Sequence, residues 1–151
     1  SQWRATNKLL LSATLAYTDA VTASPFTSRN GNVVAEGTRM PGTAKIQSFL
    51  QGTYIFAGPE NTSGKLTLVH AFTGDRTLSI DSGGVAAAYG QLDARVSFAK
   101  DNWQLGFYLN NLTDKRGING GSPVATFGGS SYTDYYLIKP RTAGVTLRYD
   151  L

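Results

Sequence analysis

Apolar residues occupy every second position along much of this chain. From Trp103 onward the apolar positions are Trp103, Leu105, Phe107 and Leu109, with Gln104, Gly106, Tyr108 and Asn110 between them. Near the carboxyl end Ala143, Val145, Leu147, Tyr149 and Leu151 alternate with Gly144, Thr146, Arg148 and Asp150. Successive side chains of a strand point to opposite faces, so this period predicts strands with one apolar and one polar face. Four earlier segments carry the same signal, about Lys8 to Thr18, Lys45 to Phe56, Lys65 to Gly74 and Gln91 to Lys100. The second is the least regular, because Phe49 and Ile55 fall on the otherwise polar face while Ile46, Leu50, Tyr54 and Phe56 align on the other.

The connections alternate in length. Roughly Asp19 to Ala44 is long, Ala57 to Gly64 short, Asp75 to Gly90 long, Ala99 to Asn102 very short and Asp114 to about Tyr135 long. Bacterial barrels have short periplasmic turns and long extracellular loops, with an apolar face toward lipid and a polar face toward the lumen. A soluble meander has no reason to keep that alternation. The two patterns together predict an all-β fold, an antiparallel transmembrane β-barrel segment of about six strands.

The run Phe107-Tyr108-Leu109-Asn110-Asn111-Leu112-Thr113-Asp114-Lys115-Arg116, then Tyr135-Tyr136, Pro140-Arg141-Thr142 and the closing Leu147-Arg148-Tyr149-Asp150-Leu151, resembles the carboxyl end of TonB-dependent outer-membrane receptors. Tyr17-Thr18-Asp19-Ala20 and the segment from Gly37 to Lys45 resemble two further family segments in the expected order. The family commonly has an aromatic where Thr113 stands and usually ends on Phe rather than Leu151. The resemblance implies a receptor of about 22 strands with a plug inside, located in the bacterial outer membrane and driven through its plug by the inner-membrane TonB complex. Residues 1–151 are then expected to be the carboxyl-terminal part of such a barrel, with the plug and remaining strands absent. The nutrient would be a siderophore, cobalamin or an oligosaccharide. The family orientation places the carboxyl end in the periplasm, and every connection then falls on its expected side. In that orientation Trp3, Tyr54, Phe56, Phe98, Trp103 and Tyr149 form a periplasmic aromatic girdle, with Tyr17 and Phe72 in the opposite one.

Composition changes little. Mean hydropathy of -0.19 would ordinarily suggest a soluble protein, but polar lumen positions keep this value low in barrels. The sequence has no cysteine, which removes disulfides and thiolate chemistry. Fourteen basic and ten acidic residues give a net charge of +4, and the basic residues are scattered rather than clustered, which argues against a nucleic-acid partner.

No catalytic, cofactor-binding or metal site is expected. His70 is the single histidine and lies on an apolar face, with no serine and carboxylate beside it to build a triad. Asp75, Asp81 and Asp134 lack the spacing of a calcium loop. Gly117, Gly120, Gly121, Gly128 and Gly129 are not followed by Lys-Ser or Lys-Thr, so they read as a mobile loop rather than a phosphate cradle. Asn61-Thr62-Ser63 and Asn111-Leu112-Thr113 match a glycosylation sequon but suit a turn and a strand end better.

Two groups of residues are singled out. Asp93, Arg95, Gln104, Arg148 and Asp150 fall on the polar, lumen-facing side, where plug contacts and wall structure are favoured over a solute path. Lys139 and Arg141 share the outward parity of the last strand and are expected at the extracellular rim, meeting lipopolysaccharide phosphates. An edge strand leaves its peptide groups unpaired, so both edges of a six-stranded piece should pair with the rest of the receptor or with another chain. The rival readings are a passive porin, which has no plug, and a soluble β-sandwich or lipocalin-like module, which would bury Leu105, Phe107, Val145 and Leu147.

Overall fold

The computed structural model describes residues 1–81, 83–127 and 130–151, with side chains outside the segment 122–133. Seven strands form one antiparallel sheet in sequential order: β1 (Gln2–Arg4), β2 (Leu9–Tyr17), β3 (Ile46–Ala57), β4 (Ser63–Thr73), β5 (Tyr89–Lys100), β6 (Trp103–Asn110) and β7 (Thr142–Tyr149). Six are those predicted by the alternation. The three-residue β1, too short to show a period, is the addition. The sheet curves but does not close, and β7 has a neighbour on one side only. At the other edge β1 covers Leu10 to Ser12 of β2, which leaves the outer half of β2 with one neighbour.

The register keeps every apolar set on one face. Leu147 opposes Leu105 and Val145 opposes Phe107; Leu105 opposes Phe98 and Phe107 opposes Val96. Val96 opposes Leu66, Leu66 opposes Tyr54 and Tyr54 opposes Leu9. A slip of one residue between any two strands would turn a whole apolar set inward, so burial of this face in lipid fixes the pairing. The opposite face carries Gln51, Thr53, Lys65, Thr67, Asp93, Arg95 and Gln104 and is hollowed into a cavity of about 940 Å³. The concave face is the polar one.

Burial is inverted relative to a soluble sandwich. Leu105, Phe107, Val145 and Leu147 are 38, 42, 63 and 67% exposed on the convex side, which removes the enclosed core that the soluble reading requires. Almost all fully buried residues lie instead at the end of the sheet that carries the long connections: Thr22, Ser28, Val34, Ala44, Arg76, Ala86, Tyr89 and Asn111. The other end has the short turns. Asp101 takes a left-handed φ of 50° between β5 and β6, and Glu60 and Asn61 do the same between β3 and β4. Aromatic rings gather at this rim on the convex side. Tyr54 stacks on Phe56 at 6.2 Å, Phe56 meets Phe98 edge-on at 6.0 Å and Trp103 lies 4.6 Å from Tyr149. The Phe56 ring lies over Gly64, where a Cβ would collide with it. Trp3 is set further in than the girdle position expected for it, because it opposes Leu11 rather than the strand end.

The long connections are less irregular than expected. Ile118–Phe127 and Ser130–Leu137 pair as a hairpin, where a mobile glycine-rich loop is predicted; Gly128 and Gly129 lie outside the described residues. Register shifts after Ile118 and Ser122 break its alternation, and Gly121 has a φ of +136° at a point where a Cβ would collide with the Asp134 and Tyr135 backbone. Those interruptions hide a strand from a periodicity reading.

The convex face can be tested by placing a charge on it. Val145→Arg puts a guanidinium at mid-strand on the apolar side and is expected to lower the folding free energy by ~2 to 4 kcal/mol in lipid vesicles. Gln104→Arg, on the concave side, should leave it within about 0.5 kcal/mol. Urea titrations of both variants in the barrel that carries this chain would show the difference; equal costs would mean that the two faces do not meet different environments, and a reversed order that the faces are assigned the wrong way round.

Candidate functional site

Where β6 ends, the chain turns through Asn111 in a left-handed conformation with a φ of 51°, which asparagine tolerates better than most residues. Its side chain is 1% exposed and makes three hydrogen bonds. The Lys115 backbone N–H donates to Asn111 Oδ1 at 2.9 Å, and Asn111 Nδ2 donates to the Lys115 carbonyl at 3.0 Å and the Lys139 carbonyl at 2.9 Å. One amide thus ties both ends of the last long connection together. The Asn111 backbone N–H donates to Asp93 Oδ1 at 2.8 Å, and Gln91 Nε2 donates to the same oxygen at 3.0 Å. A second tie runs from the Arg141 backbone N–H to Asp114 Oδ1 at 2.9 Å. That bond, reinforced by the nearby charges of Arg116 and Arg141, holds the Asp114 carboxyl below its ordinary range.

The other two long connections are tied to each other and to the third. Arg39 forms an ion pair with Asp75 at 2.8 Å and donates to the Thr43 carbonyl at 3.3 Å and to the Asp75 carbonyl; its hydrogen bond and charge hold the Asp75 carboxyl low. Asn30 and Asn32 donate to the Asp81 carboxylate at 3.1 and 3.3 Å. Arg76, 4% exposed, donates to the Ile118 carbonyl at 2.6 Å and places its guanidinium 5.7 Å from the Tyr89 ring centre. That aromatic ring also lies against Gly117, at distances a side chain there would not permit. These contacts, exposed at Asp75 and Asp81 and buried at Arg76 and Gly117, make a layer over one end of the sheet.

The residues singled out from the sequence divide between the wall and its rim. Asp93, Arg95 and Gln104 line the concave hollow, together with Lys65, Tyr108 and Asn110. Arg148 opposes Gln104 across the β6–β7 pair and bonds Asp150 at 2.8 Å, below the hollow. Strand β7 begins at Thr142, so strand parity does not extend back to Lys139, which is exposed and whose carbonyl accepts from Asn111 Nδ2. Arg141 is exposed at the rim.

His70 lies on the convex face over Gly90 and lines an apolar groove of about 510 Å³ with Trp3, Leu11, Leu50, Leu68 and Leu92. No group of three or more His, Cys, Asp and Glu residues that could hold a metal occurs among the described residues. The clamp at Asn111 went unrecognised in the sequence, where it reads as part of a sequon or a strand end. The available signal was an asparagine followed by Asp114 at a strand end, both residues that favour turns through their own side-chain hydrogen bonds.

No protein-family model and no curated protein matches this sequence. Among solved structures, the siderophore receptor PiuA from Acinetobacter baumannii superposes on 97% of the chain with a TM-score of 0.72 at 20% identity. The ferric yersiniabactin uptake receptor FyuA from Yersinia pestis superposes on 99% with a TM-score of 0.75 at 18% identity. The fold is that of a TonB-dependent receptor barrel. The chain spans about a fifth of the length of each receptor, 20% of PiuA and 22% of FyuA.

Two outcomes follow from the ties at the neck of the last loop. Asn111→Ala removes three hydrogen bonds and puts a Cβ-bearing residue without a compensating side chain into the left-handed region, for an expected loss of ~2 to 4 kcal/mol of local stability. Faster amide exchange at Lys115 with unchanged exchange in β4 would show it. Protonating Asp114 removes the charge that accepts from Arg141. Because its carboxyl is held below the ordinary value, the bond's contribution is fully present above that value and is lost as pH falls through the lowered one. The Arg141 amide should therefore lose protection at acid pH, and Asp114→Ala should abolish that pH dependence.

Proposed function

We propose that this chain forms the carboxyl-terminal barrel wall and outer loops of a bacterial outer-membrane receptor that takes up a scarce nutrient by energised transport. The observation that carries this reading is the two-faced sheet, with an apolar convex side, a hollowed polar side, short turns at one end and a packed loop layer at the other, on a fold that superposes on PiuA and FyuA. PiuA is a siderophore receptor and FyuA a ferric yersiniabactin uptake receptor, so a siderophore heads the candidate nutrients, ahead of cobalamin and oligosaccharides. The chain contributes no covalent chemistry in this reading. Its partners are a plug inside the lumen, the TonB complex acting through that plug, and outer-membrane lipid. At hydrocarbon depth each unsatisfied peptide group costs several kcal/mol, so the open sides of β2 and β7 are assigned to further strands of the same receptor or to another copy. The exposed Arg141 is assigned a contact with lipopolysaccharide phosphate, a charge-assisted bond available at the rim.

Uptake by cells carrying the complete gene tests this function. Labelled ferric siderophores, cobalamin and oligosaccharides are offered separately, and one class should enter saturably and stop entering when a protonophore collapses the inner-membrane gradient. Uptake that rises linearly with concentration and ignores the protonophore would identify a passive porin.

A further inference from the structure

In the first long connection, residues 28–32 close a tight turn whose last four residues are exposed. The Ser28 N–H donates to the Asn32 carbonyl at 2.8 Å and the Gly31 N–H donates to the Ser28 carbonyl at 3.0 Å. Gly31 takes a φ of +84°, with nothing within 4 Å of where a Cβ would stand. Asn30 and Asn32 reach out of this turn and donate to the two oxygens of Asp81, in the second long connection, at 3.1 and 3.3 Å. Among the described residues Asp81 forms no ion pair, so amide hydrogens rather than a cation answer its charge.

An asparagine followed by glycine exposes its side-chain amide to attack by the next backbone nitrogen, because glycine has no Cβ to block that approach and its backbone turns freely. The chain has two such pairs, Asn30-Gly31 and Asn119-Gly120, and the fold treats them differently. Gly120 opposes Tyr136 within a paired hairpin, and Asn119 Oδ1 accepts from the Tyr89 hydroxyl at 3.3 Å. That pair is fixed on a strand. The pair at Asn30 sits in an exposed turn, restrained by the Ser28 carbonyl at the nitrogen and by Asp81 at the amide.

We propose that Asn30 is a site of backbone-assisted deamidation, and that its conversion unties the first long connection from Asp81. The Gly31 nitrogen attacks Asn30 Cγ, its proton and the side-chain nitrogen leave together as ammonia, and water opens the resulting five-membered imide to aspartate or isoaspartate. A carboxylate then stands where the amide nitrogen lay 3.1 Å from Asp81 Oδ2, and two carboxylates that close repel when both are ionised. The isoaspartate form also lengthens the backbone inside the turn, which the bond between Ser28 and Asn32 does not span unchanged. The ion pair Arg39–Asp75 and the bond from the Gly42 N–H to the Thr77 carbonyl at 2.8 Å are untouched. The two connections therefore part at their midpoints and stay joined near the strands, in a one-way change set by the age of the molecule.

Peptide mass spectrometry on the complete, membrane-extracted protein, sampled during incubation at mildly alkaline pH, reads conversion at each asparagine. Aspartate and isoaspartate should accumulate several-fold faster at Asn30 than at Asn119, with the exposed Asn7, which precedes Lys8, as the slow reference. Asp81→Ala frees the amide and should speed conversion at Asn30 roughly fivefold, which is ~1 kcal/mol. Asn30→Gln keeps a donor for Asp81 but disfavours the ring, and should stop conversion. Amide exchange reads the untying: the Gly31 and Leu78 amides, bonded to the Ser28 and Gly84 carbonyls in the two connections, should lose protection in the aged protein and in Asn30→Asp, while the Gly42 amide keeps it. Conversion at Asn30 no faster than at Asn119 or Asn7 would overturn the site, and an unchanged rate in Asp81→Ala would overturn the part given to Asp81. Conversion that leaves Gly31 and Leu78 protected would overturn the untying.

Discussion

The ladder of backbone hydrogen bonds running from β1 to β7 is the constraint on which the other features depend, because peptide groups held at hydrocarbon depth find no partner outside the protein. A helix meets that demand within one segment. A sheet meets it only through its neighbours, which is why the strands are long, the turns at one rim tight and the register uninterrupted across the six long strands. Side chains on the convex face are then free to be chosen for lipid alone. That freedom produces the aromatic cluster of Tyr54, Phe56 and Phe98 at one rim and the aliphatic band above it.

With the sheet wetted by lipid on one side and facing the lumen on the other, there is no enclosed apolar core between layers. Close packing appears instead in the layer built by the long connections. There the burial of Val34, Ala44, Ala86 and Tyr89 is accompanied by buried polar groups with partners of their own, Thr22 with the Ala35 carbonyl and Arg76 with the Ile118 carbonyl and the Tyr89 ring. A buried guanidinium is tolerable only when its donors are used and its charge is partly answered. Its two partners come from different parts of the chain, so this arginine also aligns the second and third long connections.

The strands of the sheet were legible because period-two alternation records a difference between two environments, and lipid and lumen differ strongly. Leu66, Leu68 and Phe72 against Lys65, Thr67 and Val69 illustrate how little else is needed. Lengths of the connections were legible for the same reason. The hairpin at Ile118–Phe127 was not, because its register shifts change the phase of any pattern. The neck at Asn111 was invisible for another cause: its meaning lies in the Lys139 carbonyl, brought to it by the return of the chain rather than by nearby sequence.

Because one asparagine fastens Lys115 and Lys139 at the base of the last connection, everything between them is topologically a ring hung from the wall. Closing a ring depends only weakly on its size, with a doubling of length costing about 0.6 kcal/mol. The barrel is therefore insulated from the length of the ring beyond its foot. Insertions and deletions past Asn119 would leave the neck intact, whereas Gly117 and Ile118, held by the Tyr89 ring and the Arg76 guanidinium, tie the foot of the ring to the loop layer.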